Sequence, residues 1–103
     1  MPFVVRFVQE YAPAERDTFM ALEARFAEME RRRPDWPSGR RSQPYAGELS
    51  THTLVWEHEL ATLHEAQDAL ALIGSDPEHE ELFRQQAPTI TRARTEIYET
   101  LEL

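Results

Sequence analysis

The sequence contains no cysteine, no lysine and no asparagine, and only three of its 103 residues are glycine. Without cysteine there can be no disulfide, no thiol nucleophile and no Cys-ligated zinc site. Without lysine there is neither a Schiff-base lysine nor a P-loop lysine, and the three isolated glycines form no phosphate-binding loop. These absences exclude several classes of enzyme chemistry and leave histidine, arginine, tyrosine and carboxylate side chains as candidates.

The chain also lacks any apolar run near the roughly 18 residues that a membrane helix needs. Its apolar start, Phe3-Val4-Val5, has neither a basic segment before it nor a long apolar stretch after it, so no signal peptide is visible. We therefore expect a cytoplasmic protein that does not enter a membrane. The net charge of −8 repels phosphate backbones, so we expect no nucleic-acid partner.

All 11 basic residues are arginines, and one group of them lies at Arg31–Arg33 and Arg40-Arg41. With Trp36 between its two halves, this group has the composition of a short basic and aromatic nucleic-acid patch. Because the rest of the chain is acidic, we prefer another interpretation. The arginines would stabilise the negative end of a helix and be solvated.

Hydrophobic periodicity predicts a single domain, residues 1–103, with four strands and three helices. Phe19, Leu22, Phe26 and Met29 recur at helical spacing and form the apolar stripe of helix one. A capping box, Thr62 to Glu65, opens helix two, Gly74 is expected to end it, and Asp76-Pro77 opens helix three. The predicted strands are Pro2–Glu10, Arg40–Tyr45, Thr51–Leu60 and Thr91–Leu101, and the predicted helices are Ala14–Arg32, Leu63–Ile73 and Glu78–Gln86.

This order of elements predicts an α+β, ferredoxin-like fold of the split βαββαβ type. The four antiparallel strands would lie in the order 4-1-3-2, with the helices on one face. Strand one is apolar and would be central, whereas strand two is polar and carries Pro44, as expected at a sheet edge.

The face of the sheet away from the helices mixes valines and a tyrosine with charges of both signs. A solvated face would be more uniformly polar, whereas an exposed mixed group of this kind is typical of an interface. We therefore predict a homodimer in which two sheets pack face to face. The predicted interface consists of Val4, Arg6, Val8, Val55, Glu57, Arg94, Glu96 and Tyr98.

The order of elements, the Trp56-Glu57 pair on strand three and the Asp76-Pro77-Glu78-His79 turn resemble the dimeric α+β barrel proteins, in particular their NIPSNAP-like and antibiotic biosynthesis monooxygenase-like branches. The resemblance implies a homodimeric α/β barrel. Its members include cofactor-independent oxygenases, isomerases, haem-degrading enzymes and proteins without known activity. The haem-degrading branch uses an Asn on its first strand, a Trp on its third and a His on the following helix. Trp56 and His64 match the last two positions, but the chain has no Asn, so we do not expect haem degradation.

Among the four histidines, His58 is the candidate for proton transfer, because it follows Trp56 on the strand face that meets the helices. Arg6 would hold an anionic group of the ligand. His52 and His58 lie roughly 20 Å apart along a strand, and His79 lacks the second histidine of an H-E-x-x-H motif, so we predict no metal site. We interpret the remaining histidines as surface or boundary residues.

Two functions remain open. The first is binding of a small aromatic or hydrophobic molecule between sheet and helices, with oxygenase-like or isomerase-like activity and no metal or nucleotide cofactor. The second is a non-catalytic homodimer with a solidly packed interior. A cavity of about 300 Å³ or more beside Trp56 would favour the first. The predicted ligand-binding residues are Phe7, Phe19, Phe26, Trp56 and Phe83.

Overall fold

A computed structural model describes residues 2–103, in which four strands and three helices follow the predicted order. Two short 3₁₀ turns, Pro13–Glu15 and Ala87–Thr89, precede the first helix and the last strand. The elements are β1 (Phe3–Tyr11), α1 (Arg16–Arg32), β2 (Arg40–Ser42), β3 (Thr53–Leu60), α2 (Leu63–Ser75), α3 (Pro77–Gln86) and β4 (Ile90–Glu99).

The strands form one antiparallel sheet in the order β2-β3-β1-β4, which confirms the predicted 4-1-3-2 arrangement and the ferredoxin-like α+β fold. Phe7 pairs with Trp56 on β3 and with Thr95 on β4, so these three side chains share the helix-facing side. Arg6 pairs with Glu57 and Glu96, which places those charges on the opposite side. The predicted division of the strands into two faces therefore holds in the register.

The helix starts follow the signals in the sequence. Oγ1 of Thr62 accepts a hydrogen bond from the backbone N–H of Glu65 at 3.1 Å, and Oδ2 of Asp76 accepts one from the N–H of His79 at 3.0 Å. The prediction that Gly74 ends helix two was wrong, because α2 continues through Gly74 to Ser75. Asp76 is the residue that separates α2 from α3, and its side chain caps α3.

Strand two is shorter than predicted. Pairing with β3 covers only Arg40–Ser42, and the segment after it runs as an irregular loop to Thr53. Pro44 has no N–H with which to continue the ladder, and Gly47 adopts a φ of +147° that bends the chain. The edge position predicted for this strand is correct.

The core lies between the sheet and the helices. Phe19, Leu22, Phe26 and Met29 of α1 are buried there, as their spacing predicts, together with Val5, Leu54 and Trp56 of the sheet. On the other side of the sheet, Val8 and Val55 face each other and are only 4% exposed within one chain. The expectation that these two valines lie open on that face was therefore wrong, because neighbouring parts of the same chain already cover them. None of the helices within residues 2–103 has both the length and the apolar character that crossing a bilayer requires.

Candidate functional site

A cavity of about 470 Å³ lies between the sheet and the helices, beside Trp56. Its walls are aromatic: Phe7 and Trp56 come from the sheet and stack with ring centroids 5.1 Å apart, and other rings come from α1, α3 and the loop after α1. Ala93 and Thr95 of β4 also line the cavity and are exposed, so it opens to solvent along β4. The rings of the cavity wall are Phe7, Phe26, Trp36, Trp56, His79 and Phe83.

Four of the five residues predicted to bind a ligand line this cavity, namely Phe7, Phe26, Trp56 and Phe83. The fifth, Phe19, does not. Its side chain is fully buried and stacks on Tyr11 at a centroid distance of 4.6 Å, on the core side of α1. Phe19 therefore packs in the core and is not part of the cavity lining.

One end of the cavity is a buried ionic network that joins α1 to the edge strand. The Arg41 guanidinium donates from Nε to Oε2 of Glu23 at 2.6 Å and from Nη2 to Oε2 of Glu30 at 2.5 Å. Its Nη1 donates to Oε1 of Glu30 at 3.2 Å. Burial alone would lower the pKa of the guanidinium, but the carboxylates of Glu30 and Glu23 outweigh it and raise that pKa. The interpretation of Arg41 as a solvated cation was therefore wrong, since both carboxylate partners are buried.

The same network fixes the position of the Trp56 indole. Its Nε1 donates to Oε1 of Glu30 at 3.4 Å, and the backbone N–H of Gly39 donates to that oxygen at 2.9 Å. Gly39 lies directly against the indole, because a Cβ atom placed on it would come within 1.7 Å of Trp56 Nε1. A side chain at position 39 would thus occupy the space of the cavity wall.

His79 is the histidine that enters the cavity. Its imidazole packs among Phe26, Trp36 and Phe83, with centroid distances of 5.0, 5.7 and 6.3 Å. Burial lowers the pKa of the ring below its usual value of 6.5, and the nearby carboxylates, Asp76 first among them, only partly oppose this. The environment therefore favours the neutral imidazole, which has one donor and one acceptor nitrogen. The interpretation of His79 as a surface or boundary residue missed this environment.

A salt bridge and a cation–π contact of Arg33 hold the loop that carries Trp36. The Arg33 guanidinium lies 4.8 Å from the centroid of the Trp36 ring, and its Nη1 is 2.8 Å from Oδ1 of Asp76. Burial opposes ionisation of Asp76, but the His79 N–H and the Arg33 guanidinium outweigh it and hold the pKa of the Asp76 carboxyl below 3.8. The loop is thereby tied to the start of α3, and Trp36 is held against His79.

The two residues predicted to act together on a substrate lie on opposite sides of the sheet. His58 faces the helices, where its Nδ1 is 2.6 Å from the carbonyl oxygen of Ser38 and its ring is 6.1 Å from that of Trp56. Arg6 faces away, with Nε and Nη1 each 3.6 Å from a carboxylate, of Glu57 and Glu96 respectively. Within one chain the pair cannot contact the same small molecule, and neither side chain lines the cavity.

The remaining residues of the predicted interface accompany Arg6 on that far face. The guanidinium lies 5.2 Å from the centroid of the Tyr98 ring, and Nε of Arg94 donates to Oε2 of Glu96 at 3.3 Å. Tyr98 is 48% exposed, and Val4, its partner in the ladder, is half-buried. One chain therefore leaves Val4 and Tyr98 available on this face, which is where the predicted contact with a second chain would lie.

Within residues 2–103, no three His, Asp or Glu side chains come together in a group that could hold a metal ion. The glutamates and arginine of the cavity are already joined to one another, as described above.

The sequence did carry a signal for the residues that were missed. Glu23 and Glu30 lie four residues after Phe19 and Phe26, inside the same apolar stripe of α1, and His79 lies four residues before Phe83 on α3. Carboxylates in a buried stripe need a cation, and the nearby arginines are the candidates. The partner could not be chosen among them until the register of β2 was known.

Comparison with solved structures finds the same fold across the whole chain. An uncharacterized NIPSNAP-like domain protein from Burkholderia xenovorans superposes with a TM-score of 0.76 at 18% identity, covering 97% of this chain and 85% of that one. A NIPSNAP family protein from Agrobacterium tumefaciens gives a TM-score of 0.76 at 10% identity, covering 98% and 87% of the two chains. A structure described as an antibiotic biosynthesis monooxygenase gives 0.72 at 13% identity, covering 99% and 100%.

No sequence-family model matches the chain, and no curated protein matches it by sequence. At these identities the likeness establishes the fold and leaves activity to be argued from the site. The chain has the fold of the NIPSNAP-like and antibiotic biosynthesis monooxygenase-like proteins, as the resemblance in its sequence implied.

Proposed function

We propose that this protein binds a small aromatic or hydrophobic molecule in the cavity between sheet and helices. The observation that carries the proposal is the cavity itself, about 470 Å³ with aromatic walls and a polar end. Protein interiors are close-packed and leave few voids larger than a water molecule, whereas pockets for organic ligands span roughly 300–1,000 Å³. A space of this size and lining is what a ligand site requires.

The alternative is a non-catalytic dimer whose interior is packed solid. That reading requires Phe7, Phe26 and Phe83 to fill the space beside Trp56. They stand instead around an opening, and this favours the ligand-binding function.

For catalysis we propose oxygenase-like or isomerase-like chemistry on the bound molecule, without a metal or nucleotide cofactor. The support is the shared fold and the neutral imidazole of His79 inside the cavity. His79 takes the proton-transfer role first assigned to His58, because it lines the cavity and His58 does not.

We also propose that two copies of the chain associate through the sheet face that carries Val4, Arg6 and Tyr98. The ladder brings Val4 and Tyr98 side by side, and Arg6 lies between two carboxylates that a second chain would desolvate further. A twofold contact would place each of these groups against the same set on its partner.

The ligand-binding proposal is tested by thermal shift and calorimetry with a panel of small aromatic compounds, including quinone-like ones. At a free concentration ten times Kd, a ligand stabilises the folded state by about 1.4 kcal/mol. Ala93→Trp places an indole at the exposed mouth of the cavity and should abolish the binding. Ala21→Trp, on the exposed side of α1, is the matched control and should leave it intact. Absence of binding across the panel, or equal binding by both variants, would overturn the proposal.

A further inference from the structure

The polar end of the cavity carries more negative than positive charge. Three glutamates, Glu23, Glu30 and Glu80, line the cavity together with Arg41. Arg94 also belongs to the lining, but its guanidinium lies with Glu96 on the far side of the sheet. All three nitrogens of Arg41 already donate to Glu23 or Glu30, and Arg94 donates to Glu96. Glu23 and Glu30 share the single cation of Arg41, so one of their two negative charges is not neutralised beside the aromatic wall. Glu80 adds another negative charge at an exposed position of the lining.

Gln86 adds an acceptor without a donor at the same end. Its side chain is fully buried and lines the cavity, and its Nε2 donates to Oε1 of Glu23 at 2.9 Å and to the carbonyl oxygen of Phe19 at 3.3 Å. Both of these neighbours are hydrogen-bond acceptors. If the amide were flipped, its oxygen would face theirs, so the amide must point Nε2 towards them. Oε1 then has no hydrogen-bond partner among residues 2–103. A buried acceptor of this kind costs free energy until a donor reaches it.

The aromatic walls suit a positive charge as well as an apolar body. A cation near the face of Trp or Phe is attracted by the ring quadrupole, by about 2 kcal/mol when it is desolvated. The excess carboxylate, the unpaired Gln86 oxygen and the aromatic rings all favour the same kind of group.

We propose that the ligand of this cavity is an aromatic molecule bearing a protonated amine, with the ammonium directed towards Glu23 and Gln86. An ammonium supplies the missing positive charge and three N–H donors. A carboxylate or phosphate would meet the uncompensated charge and the unpaired acceptor, and is disfavoured. This inference rests on the proposed ligand-binding function and specifies the chemical class of the ligand.

Three probes of one shape separate the classes by charge: 2-phenylethylamine, 2-phenylethanol and 3-phenylpropanoate, titrated calorimetrically at pH 7. We expect the amine to bind about thirtyfold more tightly than the alcohol, as one desolvated cation–π contact would give. The carboxylate should bind more weakly than the alcohol. Binding of the alcohol or the carboxylate as tightly as the amine would overturn the inference.

Two variants locate the preference. Glu23→Gln removes the excess charge at nearly constant volume and should bring the affinities of amine and alcohol together. Because Glu23 is buried, this variant is first checked for a native circular dichroism spectrum. Glu80→Gln, at an exposed position of the cavity lining, should lower the affinity for the amine alone and leave folding unaffected. Glu28→Gln, exposed on α1 and outside the cavity, is the matched control. Equal loss in the Glu80 and Glu28 variants would contradict the inference.

The outcomes separate this inference from the proposed function. If other aromatic compounds bind but none of the three probes does, the amine class is rejected and the ligand-binding function stands. If no aromatic compound of any charge binds, both fail.

Discussion

Glu30 on α1 and Arg41 on β2 form a buried ion pair, with Nη2 of the guanidinium 2.5 Å from Oε2 of the carboxylate. β2 has only three residues and pairs with a single neighbour, so the backbone ladder gives it little support. The ion pair fastens this edge strand to the helix layer. It also supports Trp56, whose indole N–H donates to the same carboxylate.

Replacing Arg41 by Met should destabilise the fold, because it retains most of the apolar stem and leaves the Glu23 and Glu30 carboxylates buried without a cation. Removing one partner of a buried pair costs about 3 kcal/mol or more. Urea unfolding at pH 7 measures the difference. Arg40→Met is the matched control, since Arg40 is exposed on the other side of the same strand and should change stability little. Equal losses in the two variants would contradict the network.

Replacing Gly39 by Ala should lower stability by about 1–3 kcal/mol, the usual cost of overpacking. The added Cβ would lie 1.7 Å from Trp56 Nε1, so the indole or the loop must move. A shift in tryptophan emission should accompany the loss. Gly74→Ala is the control within the same chain: its Cβ meets nothing within 4 Å in the last turn of α2, and it should stabilise the protein by about 0.4–1 kcal/mol. A neutral Gly39→Ala variant with unchanged emission would show that the indole is not confined there.

The contribution of His79 to the free energy of unfolding should fall as the pH is lowered through 6.5. The pKa of this imidazole is lowered in the folded chain, so between that value and 6.5 the unfolded chain binds more protons. Stability is therefore highest above 6.5 and declines until the pH reaches the folded pKa. Unfolding free energies of the wild type and His79→Phe from pH 8 to pH 5 measure this. The two curves should diverge on acidification, and parallel curves would contradict the shift.

The variant Val4→Glu/Tyr98→Glu should be monomeric in light scattering if two chains pair through this face. The two residues are neighbours in the ladder, and Tyr98 is 48% exposed within one chain, so folding should survive. Val8 is unsuitable for this test, because it is buried in the single chain and a carboxylate there would damage the fold itself. Leu63→Glu, at a position 44% exposed at the start of α2, is the control and should remain dimeric. A dimer that survives both changes would refute the face-to-face arrangement.

The sequence was most informative where a residue's local pattern determined its environment. Alternation along β1 and β3, the stripe on α1 and the two capping residues Thr62 and Asp76 act within a few residues of the chain. They led to the correct strand order, the helix starts and the aromatic walls beside Trp56. The alternation and the apolar stripe are each carried by several residues, so one misleading residue does not change the result.

The sequence was least informative where function depends on a pairing between distant segments. Arg41 meets Glu23 only because β2 pairs in one register, with Arg41 opposite Trp56, and a shift of one residue would have sent Arg40 inwards instead. His79 is surrounded by rings from α1, α3 and the loop at Trp36, which no window of sequence contains. Arg6 and His58 lie on opposite sides of one sheet, as their alternation predicted, so within one chain they cannot contact the same small molecule.

The position of the opening along β4 has a consequence for ligand binding by a dimer. The entrance to the cavity is on the helix-covered face of the sheet, whereas a second chain would bind to the opposite face. The entrances of both chains would then remain accessible in the dimer, and the two sites would bind ligand independently. The binding isotherm should therefore be hyperbolic, with one ligand molecule bound per chain.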